Sequence, residues 1–295
     1  MQAHFSGRLW SSIVSRLFPG HKSHMDTTVL KIASHGAPEL ATKILKWAKH
    51  RESDGNLTQL QQSALAAYRT GQVYDISESS TVGVKEMLQA YFLFFDKIYF
   101  GGYLEGRCGL RVPEWSSFSH RTFGRDALGV TSLIAFWFPP WKIRKIWCCI
   151  HVFDLPYSCD HEDRLWLIGT LLHEMVHAFL DIYSCTGCRF EFQNVGIGGH
   201  ATSFQDAAYA IEMASCDPDF LNLHVDLNRL YSFKDELEAM AMGPPRDVAK
   251  WGFDIQEIEK YLDAQQNIDN EAVGFGETVL EAFRRVRVHN SCFLS

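Results

Sequence analysis

A chain of 295 residues is long enough to bury a full core, as one large domain or as a core with extensions. Its 46% hydrophobic and 21% charged residues describe a soluble globular protein, and no apolar run is expected to reach the about 18 residues that span a bilayer, so no membrane partner is expected. The formal net charge of -7 excludes a protein wrapped globally in nucleic acid, while leaving room for a local basic patch.

Residues 1–25 carry Arg8, Arg16 and Lys22 and no acid, with Leu9, Trp10, Ile13, Val14, Leu17 and Phe18 at helical steps. This suits either a mitochondrial transit peptide or a mildly basic tail. Apolar periodicity predicts amphipathic helices over 28–49 and 57–69, completing an N-terminal extension over 1–81, and then a first core helix over 83–98. Strand-like runs follow at 107–112, 128–138 and 143–153. At the third of these, Trp141, Lys142, Arg144, Lys145 and Trp147 interleave cations with aromatics, a candidate surface for DNA contact. The same alternation also fits an ordinary strand, and a strand at a sheet edge can receive an extended peptide by strand addition. The eight cysteines, including the adjacent Cys148 and Cys149, show no disulfide framework, which favours a reducing compartment. Cys185 and Cys188 form one CxxC pair, too few ligands to close a metal site alone.

The most informative stretch is His173, Glu174, Met175, Val176, His177, an HExxH motif in an apolar helical run. On a helix, histidines four apart stack on one face and both imidazoles reach one metal ion, while Glu174 projects about 100° around the axis. Such a pair, completed by a third ligand, suits zinc, with the glutamate as general base for an attacking water. Asp160, Glu162 and Asp163 mark the helix start and Gly187 a plausible stop. Leu165, Ile168, Leu172, Met175 and Phe179 form a core-facing stripe; Gly169, His173, His177 and Asp181 fall on another face, with Asp181 either beside the site or solvated.

The third ligand is open to two candidates. A metzincin needs Gly and His three and six residues after His177, where Leu180 and Tyr183 stand, so that class is excluded. Glu212, 35 residues after His177, would make a gluzincin-type site. His200 is better placed, following the flexible loop Gly196, Ile197, Gly198, Gly199 and opening a second helical pattern through Phe204, Ala207, Ala208 and Ile211 that stops before Pro218.

At this point the chain resembles the SprT-like family of zinc metallopeptidases, whose Spartan-type members act in DNA-protein crosslink repair. The resemblance rests on Leu171 to Ala178 around the HExxH, then Gly199, His200 and Phe204, preceded by Tyr91, Phe92, Phe95, Tyr99, Phe100, Gly101, Gly102 and Leu104, and by Leu128, Gly129, Val130 and Thr131. It implies that His173, His177 and His200 hold Zn2+ and that Glu174 is the catalytic base. Two departures stand out: the segment Cys185 to Gly198 carries cysteines and aromatics, and beyond Cys216 the single Cys292 cannot form the zinc ribbon common in the family.

The expected fold is therefore α+β, a zincin-like core over 82–217 made of a helix, a short antiparallel sheet, the HExxH helix and a second ligand-bearing helix. An acidic helical extension follows over 218–295, with a Gly243, Pro244, Pro245 break and helices to about residue 287. The expected activity is zinc-dependent endopeptidase hydrolysis of a protein or peptide substrate, with DNA-associated protein suggested by the resemblance. The alternatives are a zinc-stabilised scaffold that recruits partners through its helical flanks, and a hydrolase of a non-peptide amide. The expected location is nuclear or cytoplasmic, the resemblance pointing to the nucleus. His151 and His161 are further candidates for the substrate cleft.

Overall fold

A computed structural model describes residues 29–77, 80–114, 128–138, 142–154, 160–185, 194–240 and 248–273. The predicted targeting segment at 1–25, the 243–245 break, Gly187, Cys188, Trp141 and the last residues of the C-terminal extension lie outside them.

Helix α1, Ala37–Ala48, begins later than the periodicity predicts because Pro38 can sit only in the first turn, where its missing N–H is not needed. The residues before it form a turn, with Ala33 at φ 50, that is tied to the end of the central helix: Ala33 and His35 donate to the Ile182 and Tyr183 carbonyls, and Cys185 donates back to His35. This ties the N-terminal extension to the central helix. Helix α2, Gln59–Thr70, opens with a capping box in which Thr58 accepts from the Gln61 amide and Gln61 reaches back to Thr58. Helix α3, Val84–Tyr99, buries Met87, Leu88, Tyr91, Phe95 and Tyr99, and Asp96 near its end accepts from the Leu104 and Glu105 amides to shape the turn that follows.

Three strands form the sheet: β1 Cys108–Arg111, β2 Gly129–Phe138 and β3 Lys142–Val152, in the order β1-β3-β2. β2 and β3 pair antiparallel, with Ser132 opposite Cys149, whereas β1 runs parallel to β3, with Cys108 opposite Cys148. The sheet is thus mixed rather than purely antiparallel as expected. β3 sits centrally, and β1, reached before the β2–β3 pair, takes the vacant side of β3 in the same direction.

Helix α4, His161–Tyr183, crosses this sheet and packs on β2, β3 and α3. Asp160 caps it, its side chain accepting from the Asp163 amide at 2.7 Å. The expected stripe is found: Ile168, Leu172, Met175 and Phe179 are fully buried and Leu165 partly so. At about 1.5–3 kcal/mol for each large apolar side chain removed from water, this one face anchors the helix firmly. The expectation that no apolar run reaches membrane-spanning length is corrected here. α4 has 23 residues and a best window of mean hydropathy 1.3, enough by length and composition, and 67% of that window is buried inside the fold. The helix ends at Tyr183, ahead of the predicted stop.

Helix α5, Thr202–Cys216, packs on α1 and α4. The chain then returns along it, with Leu223 donating to Ser215 at 2.8 Å, before α6 Arg229–Met240, a short 3-10 turn Val248–Trp251, and α7 Ile255–Val273. Phe233, Leu237, Val248, Trp251 and Ile258 make a small second core against Tyr209 of α5. Trp251 Nε1 donates to Asp206 at 2.7 Å. The described residues of the C-terminal segment are therefore packed onto the core, and the chain is α+β with seven α-helices among the described residues. Among the described residues, Cys108, Cys148 and Cys216 are free thiols.

Candidate metal centre

His173 and His177 lie one turn apart on α4, and His200 approaches from the loop before α5. Their Nε2 atoms form a triangle: 3.0 Å from His173 to His200, 3.1 Å from His173 to His177, and 2.9 Å from His177 to His200. The three histidines lie close enough to bind one metal ion.

Hydrogen bonding makes the triangle chemically meaningful. His173 Nδ1 donates to the Leu227 carbonyl at 2.7 Å, which leaves Nε2 as the lone-pair nitrogen facing its neighbours. Burial depresses its pKa to about 4, so the ring is neutral near pH 7. Three imidazole nitrogens at mutual distances near 3 Å cannot all satisfy one another by hydrogen bonds, and a shared cation resolves the repulsion of their lone pairs. Phe204 lies under the group, with its ring centroid 4.7–4.9 Å from all three imidazoles.

Local sequence explains the convergence. Gly169 on α4 leaves no Cβ where the Asp226 backbone passes, which lets the following Leu227 carbonyl come down on His173. Gly199 has φ +88 and lies so close to His177 that a Cβ would stand 3.0 Å from Nδ1. Only glycine combines that backbone with that approach.

Glu174 follows His173 and is 7% exposed. Thr131 Oγ1 of β2 lies 2.7 Å from Glu174 Oε2 and 2.9 Å from the Glu174 carbonyl, sharing its one hydrogen between them. Burial raises the Glu174 carboxyl to about 7; the Thr131 hydroxyl pulls it down, and Asp181 pushes it further up. Gly129 makes the space: a Cβ there would meet Glu174 Cγ at 2.7 Å and Thr170 Cγ2 at 2.8 Å.

Asp181 belongs with Glu174 rather than with the histidines. Seven residues apart on a helix, the two project within about 20° of each other, and their charges interact. Asp181 itself is exposed to solvent. Glu212 does not join the histidines either. Its carboxylate accepts from the Leu227 amide at 2.8 Å and pairs with Arg229. His151, half-buried on β3 with its pKa lowered by burial, and His161, whose Nδ1 faces the Ile76 carbonyl at 3.2 Å, are likewise outside the histidine group.

Sequence reasoning missed three contributors. Thr131 lay in a block noted for its glycine, and nothing local signalled that its hydroxyl would meet α4. Leu227 contributes through its backbone carbonyl, which no side-chain pattern reveals. Glu236, on α6, accepts from the amides of the loop carrying His200 and was assigned only to an acidic flank. Burial raises its carboxyl while those amides lower it. Of the basic-aromatic patch, residues 142–147 lie in β3.

No protein-family model, curated protein or solved structure matches this chain.

Proposed function

We propose that the chain is a zinc-dependent endopeptidase with a SprT-like, zincin-type core. The observation that carries the proposal is the convergence of three imidazole Nε2 atoms beside a buried carboxylate that is held by Thr131. The donor set fits zinc: two nitrogens bound tetrahedrally at 2.0–2.1 Å stand about 3.3 Å apart, close to the 2.9–3.1 Å separations found. Three protein ligands, completed by water or substrate, is the pattern of catalytic rather than structural zinc.

When bound, zinc supplies Lewis-acid polarisation of a carbonyl and acidifies water near neutral pH. The protein's own groups do the rest. His173, His177 and His200 hold the ion, the first in a tautomer set by Leu227. Thr131 occupies Oε2 of Glu174, which leaves Oε1 to take the proton of the attacking water and return it to the leaving amine. A carboxyl poised near 7 before the ion's charge acts on it is suited to passing a proton both ways.

The substrate class follows from the resemblance: protein, including protein held on DNA, with the 141–147 segment as the surface for the nucleic acid. The test is cleavage of an unfolded protein such as casein, and of a DNA-bound protein, by wild type, by chelator-treated wild type and by Glu174→Gln. The proposal expects cleavage by zinc-loaded wild type alone, with metal retained in Glu174→Gln. Equal cleavage by both forms, or by neither, rules it out.

A further inference from the structure

We propose that Glu236 is the positioning residue for His200: from α6 its carboxylate fixes the loop that presents the third imidazole, so metal retention depends on the segment beyond Pro218. This rests on the zinc site proposed above. Glu236 is 2% exposed. Its Oε1 accepts from the amides of Ile197 and Gly198, and its Oε2 from Gly198 at 2.9 Å and His200 at 2.8 Å. Three backbone donors within four residues converge on one carboxylate, an arrangement that selects an anion and fixes the path of the loop.

The sequence makes room for it. Gly196 has φ +89, and a Cβ there would run into the Glu236 carboxylate; at Gly198 a Cβ would stand 3.1 Å from Oε2. The glycines of this loop thus admit the carboxylate and do not merely confer flexibility. Among the described residues the ion pair recorded for Glu236 is with His200 Nδ1, at 3.9 Å, too far for a hydrogen bond. The carboxylate therefore acts on the loop backbone, and through it on where His200 Nε2 stands relative to the α4 pair. Residues that support metal ligands in this way typically change affinity about 10–100-fold when altered.

The experiment uses the full chain loaded with zinc, competed against a chromophoric chelator, and separately loaded with cobalt(II), whose visible absorption reports the ligand geometry. Glu236→Gln keeps the shape but turns a donor toward the loop amides. The expected result is a loss of about 10–100-fold in zinc affinity and an altered cobalt spectrum, while Glu238→Ala, an exposed neighbour on α6, matches wild type. In a His200→Ala background the same change should weaken zinc no further, because the residue acts through that ligand. Circular dichroism of the metal-free forms identifies a variant that fails to fold. In that case Glu236→Asp, which keeps the charge and shortens the reach, takes its place with the same expectation. Wild-type affinity and spectrum in the folded variant, or an additive loss in the His200→Ala background, overturns the inference. A wild type that takes up no zinc overturns the function proposed above instead, so the two failures are distinguishable.

Discussion

Glu212 supports the histidine cluster through Leu227: its carboxylate accepts the Leu227 amide at 2.8 Å, and the carbonyl of the same residue receives His173 Nδ1 at 2.7 Å. The acid that sequence offered as a rival ligand thus stands two hydrogen bonds further out, holding the residue whose carbonyl orients His173. Glu212→Ala frees the Leu227 amide and leaves Arg229 without its carboxylate. Zinc affinity is expected to fall about 10–100-fold, read by chelator competition. An unchanged affinity would show that Leu227 is held well enough without it.

Thr131→Val removes the hydroxyl that lowers the Glu174 pKa while keeping the side-chain volume. The acid limb of the pH-rate profile should move to higher pH, with zinc content unaltered. A shift to lower pH, or none, contradicts the assignment of this hydrogen bond.

Gly129→Ala places a methyl 2.7 Å from Glu174 Cγ, and either the carboxylate or β2 must yield. A misplacement of about 1 Å costs on the order of 100-fold in rate. Turnover is expected to fall by that order while zinc binding persists, since none of the three histidines contacts Gly129. Wild-type turnover with the Glu174 pH dependence unchanged would show that β2, not the carboxylate, yields.

The Glu174 carboxyl stands at about 7 in the fold against 4.5 as an ordinary glutamate, so the folded chain holds this proton more tightly than the unfolded one. Its contribution to stability is fully present below about pH 4.5 and is lost as pH rises through about 7, a change of about 3 kcal/mol. His173, depressed to about 4, runs the opposite way, losing its contribution as pH falls. Comparison of metal-free Glu174→Gln with metal-free wild type isolates the first effect. The variant should gain about 3 kcal/mol relative to wild type across that range, measured by urea unfolding. A difference independent of pH contradicts the burial argument.

What sequence made legible and what it hid divide along a physical line. The α4 stripe, the His173–His177 pair and the three strands were readable because helical and strand periods are local properties of consecutive residues. His200 was readable because a glycine loop before a helical pattern is also local. The parallel pairing of β1 with β3 was not, since strand partners are chosen across intervening chain. Neither were Thr131, Leu227 and Glu236, which reach the site from 43, 54 and 36 residues away from their partners. Asp181, left open between the site and solvent, is exposed, and its side-chain surroundings depend on the packing of distant segments that helical period alone does not fix.

The central claim is that three imidazoles share one ion, and the most direct measurement is the zinc content of His200→Ala after dialysis against a moderate chelator, beside wild type and Glu212→Ala. One zinc per wild-type chain and almost none in His200→Ala is the predicted result, with Glu212→Ala retaining more than His200→Ala. Retention of zinc by His200→Ala at the wild-type level contradicts the account, because the site would then be completed by another residue.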